Sequence, residues 1–321
     1  MLKVLYLPLN DLDNAQTGMY NGWNNVGTHL EIYDFFKKWL LSKNKDAVRG
    51  GFLEAVKKFQ PDLIHMQLQF TGLLDIGTLI QARQMCPNVK ITNWTGDVRA
   101  YADKSFIEIS KVIDYSLVSS TGQIELYQNS GCQNVAYWQV GYDPATLYPK
   151  FENNFLYDVT FIGNHYGSFP ESNSRYKATQ ILRQAFGERF GLFGLGYADK
   201  HARGVSPRQV NDIYNMSRCV LSINHFTLSH YFSDRMLCCL ASGRPTITHF
   251  FPGYDSYFTD GGDLFVAYNT DDMVNIVKHC IRNPEDANRV GMNGYRKALA
   301  EHTCTSKILE LIDLVKLTHL L

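Results

Sequence analysis

No stretch of this 321-residue chain approaches the roughly 20 consecutive apolar residues that a membrane-spanning helix requires. Charge of one sign is equally scarce: 31 Lys and Arg balance 31 Asp and Glu, and the first 150 residues hold fourteen of each. A protein held to nucleic acid or anionic lipid by bulk charge would carry a basic excess, so any such partner has to be held by a local patch. The seven cysteines form no Cys-x-x-Cys pair, which argues against a disulfide framework and a structural zinc site. Also missing are a Walker-type Lys loop, a Ser/His/Asp nucleophile motif, internal repeats and low-complexity tracts. The opening MLKVLYLPLNDLD is too short an apolar run for a secretory leader and lacks its cleavage site, so the expectation is a soluble, cytoplasmic protein.

What is present is a well-mixed composition, 45% hydrophobic and 13% aromatic, in a length that suits about two domains at roughly 150 residues each. Apolar runs alternate with helical periodicity, the pattern of parallel strands joined by crossover helices. In the first half the spacing predicts strands over 3–9, 62–67, 90–94, 115–119 and 135–138. A polar loop is expected over 10–25, with helices over 28–42, 52–59 and 74–86. The segment GYDPATLYPKFENN, with two prolines and no periodicity, is the linker candidate. A second alternating series follows, with strands at 157–162, 190–193, 219–223, 245–248 and 264–266. Its helix over 206–216 opens on Ser206-Pro207-Arg208-Gln209, a capping-box start. The expected division is 1–148 and 149–321, with the last helix a candidate to pack back on the first domain.

In open α/β sheets ligands bind beyond the carboxyl ends of strands, so the residues that end each apolar run carry the chemistry. ITNWTGDVR places Asp97 after a Thr-Gly turn, positioned as a general base or as a turn-capping residue with Arg99 as its surface partner. DVTFIGN ends in Gly163-Asn164, followed by a helix carrying Arg175, an arrangement suited to a phosphate or to an ordinary strand-to-helix turn. LSINHFTLSHYFSDRMLCCLASGRP delivers Asn224 and His225 from a strand, then Ser233 and Asp234, then Arg235 in the first turn of a helix. A cation there opposes the helix dipole, so either an anion lies nearby or Asp234 pairs with it. The glycines at 191, 194 and 196 are a weak dinucleotide fingerprint, because no helix follows them directly. Asp11 and Asp13 read as loop residues. Lys37, Lys38, Lys43, Lys45, Lys57 and Lys58 are either a solvated helix face or a phosphate-contacting surface.

The motifs DVTFIGN, SDRMLCCLASGRPTIT and GGDLFVAYNTDDMVNIVKHCIRNPEDANRVGMNGYRKALAEHT, taken in order over about 158–303, resemble the C-terminal domain of group 1 glycosyltransferases, most closely the CgeB-like branch. WQVGYDPATLYP resembles the segment that closes the N-terminal domain of such enzymes. NWTGDVR resembles both a segment of that branch and one of phage DNA β-glucosyltransferases. The resemblance implies an α/β, GT-B architecture, two Rossmann-like doubly wound domains facing across a cleft. It implies a nucleotide-diphosphate sugar as donor, a UDP-sugar among the candidates, and an acceptor hydroxyl on a glycan, a protein or a hydroxymethylated base in DNA. No metal and no cofactor besides the donor are implied. Asp97 would be the catalytic base of an inverting transfer. Gly163, Asn164, Arg175, Asn224, His225, Ser233, Arg235 and Cys238 would line the donor, and Gly18, Tyr20 and Arg99 the acceptor side. Two positions depart from the family: Cys238 stands where a ribose-binding Glu is usual, and His230 where retaining members have Glu. A nucleotide-sugar 2-epimerase or a non-catalytic sugar-nucleotide-binding protein is the alternative on the same architecture.

Overall fold

The structure, a computed structural model, describes residues 1–9, 17–68, 72–98, 101–151 and 154–321. The chain order is β1 (Lys3–Leu7), α1 (Thr17–Asn25), β2 (His29–Ile32), α2 (Phe35–Ser42), α3 (Lys45–Phe59), β3 (Leu63–Met66), α4 (Ile76–Met85), β4 (Lys90–Thr95), α5 (Lys104–Ser110), β5 (Tyr115–Val118), α6 (Ile124–Asn129) and β6 (Val135–Tyr137). It continues with β7 (Tyr157–Ile162), α7 (Ser172–Phe186), β8 (Phe190–Phe193), α8 (Val210–Asn215), β9 (Ser217–Ser222), α9 (Asp234–Ala241), β10 (Thr246–His249), β11 (Phe265–Ala267), α10 (Thr270–Arg282), α11 (Pro284–Glu301) and α12 (Cys304–Leu314). Two compact units result, one of Met1–Val140 with Cys304–Leu321, the other of Gly141–Thr303. The sequence places the division at 148/149. The segment in between belongs to the second unit because Tyr142 packs with Phe232 and Met236 there. The backbone N–H groups of Tyr148 and Lys150 also donate to the side chains of Asn211 (3.2 Å) and Asn215 (2.6 Å).

In the first unit six strands pair in the order β2-β1-β3-β4-β5-β6, all parallel. Side chains alternate across a strand, so Leu5 and Leu7 of β1 meet Val48, Phe52 and Val56 of α3 on one face, while Val4 and Tyr6 meet α1 and α12 on the other. Both faces are buried, as a parallel sheet requires. The expected loop over 10–25 is in part a helix. α1 forms despite its Gly and Asn content because it buries Met19, Gly22 and Trp23. A Cβ at Gly22 would lie 2.7 Å from Ile308 Cδ1 of α12, so only glycine permits that approach. The expected helix over 28–42 is likewise two elements. Residues His29–Ile32 form an edge strand in register with Lys3–Tyr6, and Asp34 then caps α2 by accepting from the Lys37 amide at 2.8 Å.

The second unit has five parallel strands in the order β11-β10-β9-β7-β8. One face packs Val159, Phe161, Cys219, Leu221 and Ile247 against α7 and α10, and the other receives α9 and α11. The capping-box start survives as a short turn of 3-10 helix before α8, where the Ser206 amide donates to Gln209 Oε1 at 3.1 Å. In each unit the chain reverses its direction of winding at one place, between β1 and β3 and between β7 and β9. Such a switch point opens a crevice at the carboxyl ends of the two strands.

Candidate functional site

At the β7/β9 switch point, Gly163 follows β7 and Asn224 follows β9. The two arginines singled out from the sequence meet there. Arg235 Nε donates to the carbonyl of Ile162 at 2.7 Å and Nη1 to that of Ile223 at 3.2 Å. Arg175 Nη2 donates to the Asn164 carbonyl at 2.9 Å. A Cβ on Gly163 would lie 2.3 Å from Arg175 Nη2 and 3.0 Å from Arg235 Nε, so glycine is what lets both guanidinia reach the turn. Each lies over the ring of Phe161, at 4.7 Å for Arg175 and 5.4 Å for Arg235.

The charge of this cluster is uncompensated. Among the described residues no carboxylate forms an ion pair with either arginine. Asp234 does not neutralise its neighbour: its carboxylate accepts from the Arg235 backbone amide at 2.9 Å, while the guanidinium turns to the two strand-end carbonyls. Arg175 is 1% exposed, and its Nε and Nη1 have no hydrogen-bond partner. Burial, followed by the adjacent Arg235, lowers its pKa to about 10, which still leaves it charged at neutral pH. Two like charges repel by about 4 kcal/mol at 4 Å in a medium of dielectric about 20, and an anion between them reverses the sign.

The remaining donor-side candidates in this cluster hold it in shape. The Asn164 carbonyl accepts from Arg175 and from His225 Nε2 (3.1 Å), which puts the imidazole proton on Nε2. Its side chain is committed too, taking the Leu195 amide at 2.9 Å and donating to the Tyr166 hydroxyl at 2.9 Å. Ser233 Oγ donates to Asn224 Oδ1 at 2.9 Å, leaving the buried Asn224 Nδ2 without a partner. His225 and His249 are both held to a pKa of about 4, chiefly by burial. Both are therefore neutral beside the arginines. Cys238, one turn after Arg235 on α9, is half-buried in a cluster with Ile162, Tyr214, Val220 and Cys239. His230 is tied off: its Nδ1 lies 2.7 Å from Ser229 Oγ, and its ring fills the space a Cβ at Gly253 would occupy.

Several members of the site carry no sequence signal. Tyr197 donates to the Gly163 carbonyl at 3.0 Å. The glycine run that resembles a dinucleotide fingerprint has another use. Cβ atoms at Gly194 (φ 143) and Gly196 (φ 87) would lie 2.3 Å from the Gly163 carbonyl oxygen and 2.4 Å from that of His165, so this run clasps the 163–165 turn backbone to backbone.

In the first unit, Asp97 is exposed just past the carboxyl end of β4. The turn before it is pinned: Ser119 Oγ donates to the Gly96 carbonyl at 3.0 Å, and Trp94 Nε1 to that of Trp138 at 2.9 Å. Gly18 and Tyr20 lie on α1, with the Tyr20 ring edge-on to Tyr6 at 5.9 Å. Arg99, Asp11 and Asp13 lie outside the described residues.

Residues 175–313, which include Arg175 and Arg235, match the family model described as glycosyl transferase-like. The chain is similar in structure to HepE of Anabaena, solved with UDP and glucose (TM-score 0.64, 11% identity, 98% of this chain and 100% of that one). Sucrose-phosphate synthase from Thermosynechococcus elongatus gives a TM-score of 0.66 at 12% identity, with 98% of each chain covered. A glycosyltransferase from Rickettsia africae gives 0.65 at 13%, again over 98% of each. No curated protein matches it in sequence. The two-sheet α/β architecture is the GT-B fold that these solved structures share.

Proposed function

We propose that this chain of GT-B fold transfers a sugar from a nucleotide-diphosphate sugar to an acceptor hydroxyl. The observation that carries the reading is the pair of guanidinia over Phe161, without a carboxylate partner, at the switch point of the second unit's sheet. A diphosphate supplies the negative charge that this cluster lacks, and charge-assisted bonds to Arg are well suited to it. The HepE structures hold UDP, UDP-glucose and glucose, which makes a UDP-sugar the first donor to try.

In this reading the acceptor oxygen attacks the anomeric carbon as the bond to the diphosphate breaks, and Asp97 accepts the hydroxyl proton. The nucleoside diphosphate leaves with its growing charge held by Arg235 and Arg175, a contribution of about 3 kcal/mol when one such donor is lost. The transfer inverts the anomeric centre and is metal-independent, the guanidinia meeting the charge that a divalent cation would otherwise balance.

The test is a panel of nucleotide-diphosphate sugars and candidate acceptors, glycan, protein and hydroxymethylated duplex DNA, with anomeric configuration read by NMR. Asp97→Asn is expected to lower transfer by a factor of about 10² or more, with donor affinity, measured by titration calorimetry, within about twofold of the parent. Full transfer by that variant removes Asp97 as base. Failure of every nucleoside diphosphate to bind removes the reading as a whole.

A further inference from the structure

The lysines around α2 play no part in the donor cluster, and their surroundings are unusual. Residues 35–45 hold four lysines, Lys37, Lys38, Lys43 and Lys45, and no carboxylate. α2 turns Phe35 into the core at 4% exposure but leaves Leu41 80% exposed and Leu40 38% exposed. All four lysines are exposed. Of the flanking acids, Asp34 caps the helix through the Lys37 amide, and the exposed Asp46 lies 3.8 Å from Arg49. Two of the ammonium groups lie over aromatic rings, Lys38 Nζ over Tyr33 at 5.8 Å and Lys43 Nζ over Trp39 at 5.9 Å. Along α2 runs a shallow groove of about 490 Å³ lined by Asp34, Lys37, Lys38, Leu41 and Ser42.

We propose that the outer face of α2 seats the protein on an anionic phospholipid bilayer. Leu40 and Leu41 enter the headgroup boundary, and Lys37, Lys43 and Lys45 meet the lipid phosphates. The pairing of apolar tips with a basic rim is what distinguishes this partner. A nucleic-acid backbone would engage the lysines and leave the leucines in water, whereas an interfacial helix gains from both. The attraction is local, since the chain as a whole has zero formal net charge.

The full-length protein is sedimented with vesicles of phosphatidylglycerol and phosphatidylcholine, with vesicles of phosphatidylcholine alone, and is titrated separately with duplex DNA. Binding to the anionic vesicles is expected, with little to the neutral ones. The combined Lys37→Gln, Lys43→Gln and Lys45→Gln variant is expected to lose about a hundredfold in partition, at the usual worth of a surface lysine. Leu41→Ser, which removes a side chain already in water and so leaves folding intact, is expected to lose roughly fivefold. None of these residues belongs to the donor cluster, so the far-ultraviolet spectrum and melting temperature of each variant are expected to match those of the parent. Equal partition into both vesicle types overturns the proposal, as does undiminished binding by Leu41→Ser. Retention by DNA with a steep salt dependence, without vesicle binding, overturns it in favour of nucleic acid.

Discussion

Gly163 shows how much a single missing methyl group controls. Arg175 is pinned to the Asn164 carbonyl and Arg235 to that of Ile162, and a Cβ at Gly163 would fall 2.3 Å from one guanidinium and 3.0 Å from the other. Arg175 cannot swing into solvent because it is buried. Gly163→Ala must therefore break at least one charge-assisted hydrogen bond, worth about 1.5–3 kcal/mol. The expected outcome is a loss of at least about tenfold in UDP affinity by titration calorimetry. An alanine variant with parental affinity shows that this cluster does not hold the donor. The residues of the cluster that the sequence discloses, Gly163, Asn164, Arg175, Asn224, His225, Ser233 and Arg235, are those that follow a strand or lie at the start of a helix, where local pattern marks the position. Phe161, Tyr197 and His249 are not disclosed. Their roles come from the pairing of β7 with β8 and β9 and of β9 with β10, contacts between segments far apart in the chain. The use of Gly194 is hidden for the same reason: the sequence shows that no helix follows it directly, but not that its partner is another strand's turn.

Among the elements, the central strands are legible because strands buried on both faces are continuous apolar runs. The edges and the covering helices are harder to read. β2 is half-exposed, and its leucine and isoleucine fall by coincidence at the helical spacing that α2 continues. α1 carries too few apolar residues to announce itself, and it is a helix because α12 returns from the far end of the chain to lie against it. α12 buries Ile308, Leu311 and Ile312 completely and accepts the Trp138 Nε1–H at the Lys307 carbonyl, 2.7 Å away. Each of those side chains contributes about 1.5–3 kcal/mol on burial, so together they rival the whole stability of a typical domain. A chain ending at Thr303 is expected to lose the cooperative melting of the first unit and to become protease-sensitive over residues 1–140. The second unit, whose core clusters draw only on residues within 142–298, keeps its protection. Limited proteolysis read by mass spectrometry checks this, and unchanged resistance of residues 1–140 would show α12 to be dispensable.

At the scale of the whole molecule, the two units share a pattern in how they bury imidazole. His65 in the first unit is fully enclosed, stacked on Tyr6 at 5.7 Å with Nδ1 against Thr92 Oγ1 at 2.8 Å, and burial lowers its pKa to about 3. His225 and His249 in the second unit are lowered to about 4, by burial first and by the nearby Arg175 and Arg235 in addition. The unfolded chain returns each to about 6.5, so between that pH and the folded value it binds more protons than the native protein does. Stability is then complete above about pH 6.5 and falls as pH drops, by about 1–2 kcal/mol for each imidazole at about pH 5. Carboxylates held below their usual range, Asp75 and Asp199 among them, add their losses only at lower pH. Melting followed by calorimetry from about pH 7.5 to about pH 5 is expected to show a steep loss in both units well before carboxylates titrate. His65→Gln should flatten the profile of the first unit alone, and a profile already flat in the unsubstituted protein would mean that these imidazoles reach water. Because the same two arginines that depress His225 and His249 are the groups assigned to the donor, saturating UDP should leave those two pKa values less depressed and soften the acid loss in the second unit only. Anion binding and acid resistance are thus coupled through one cluster, and the coupling is measurable without any acceptor being known.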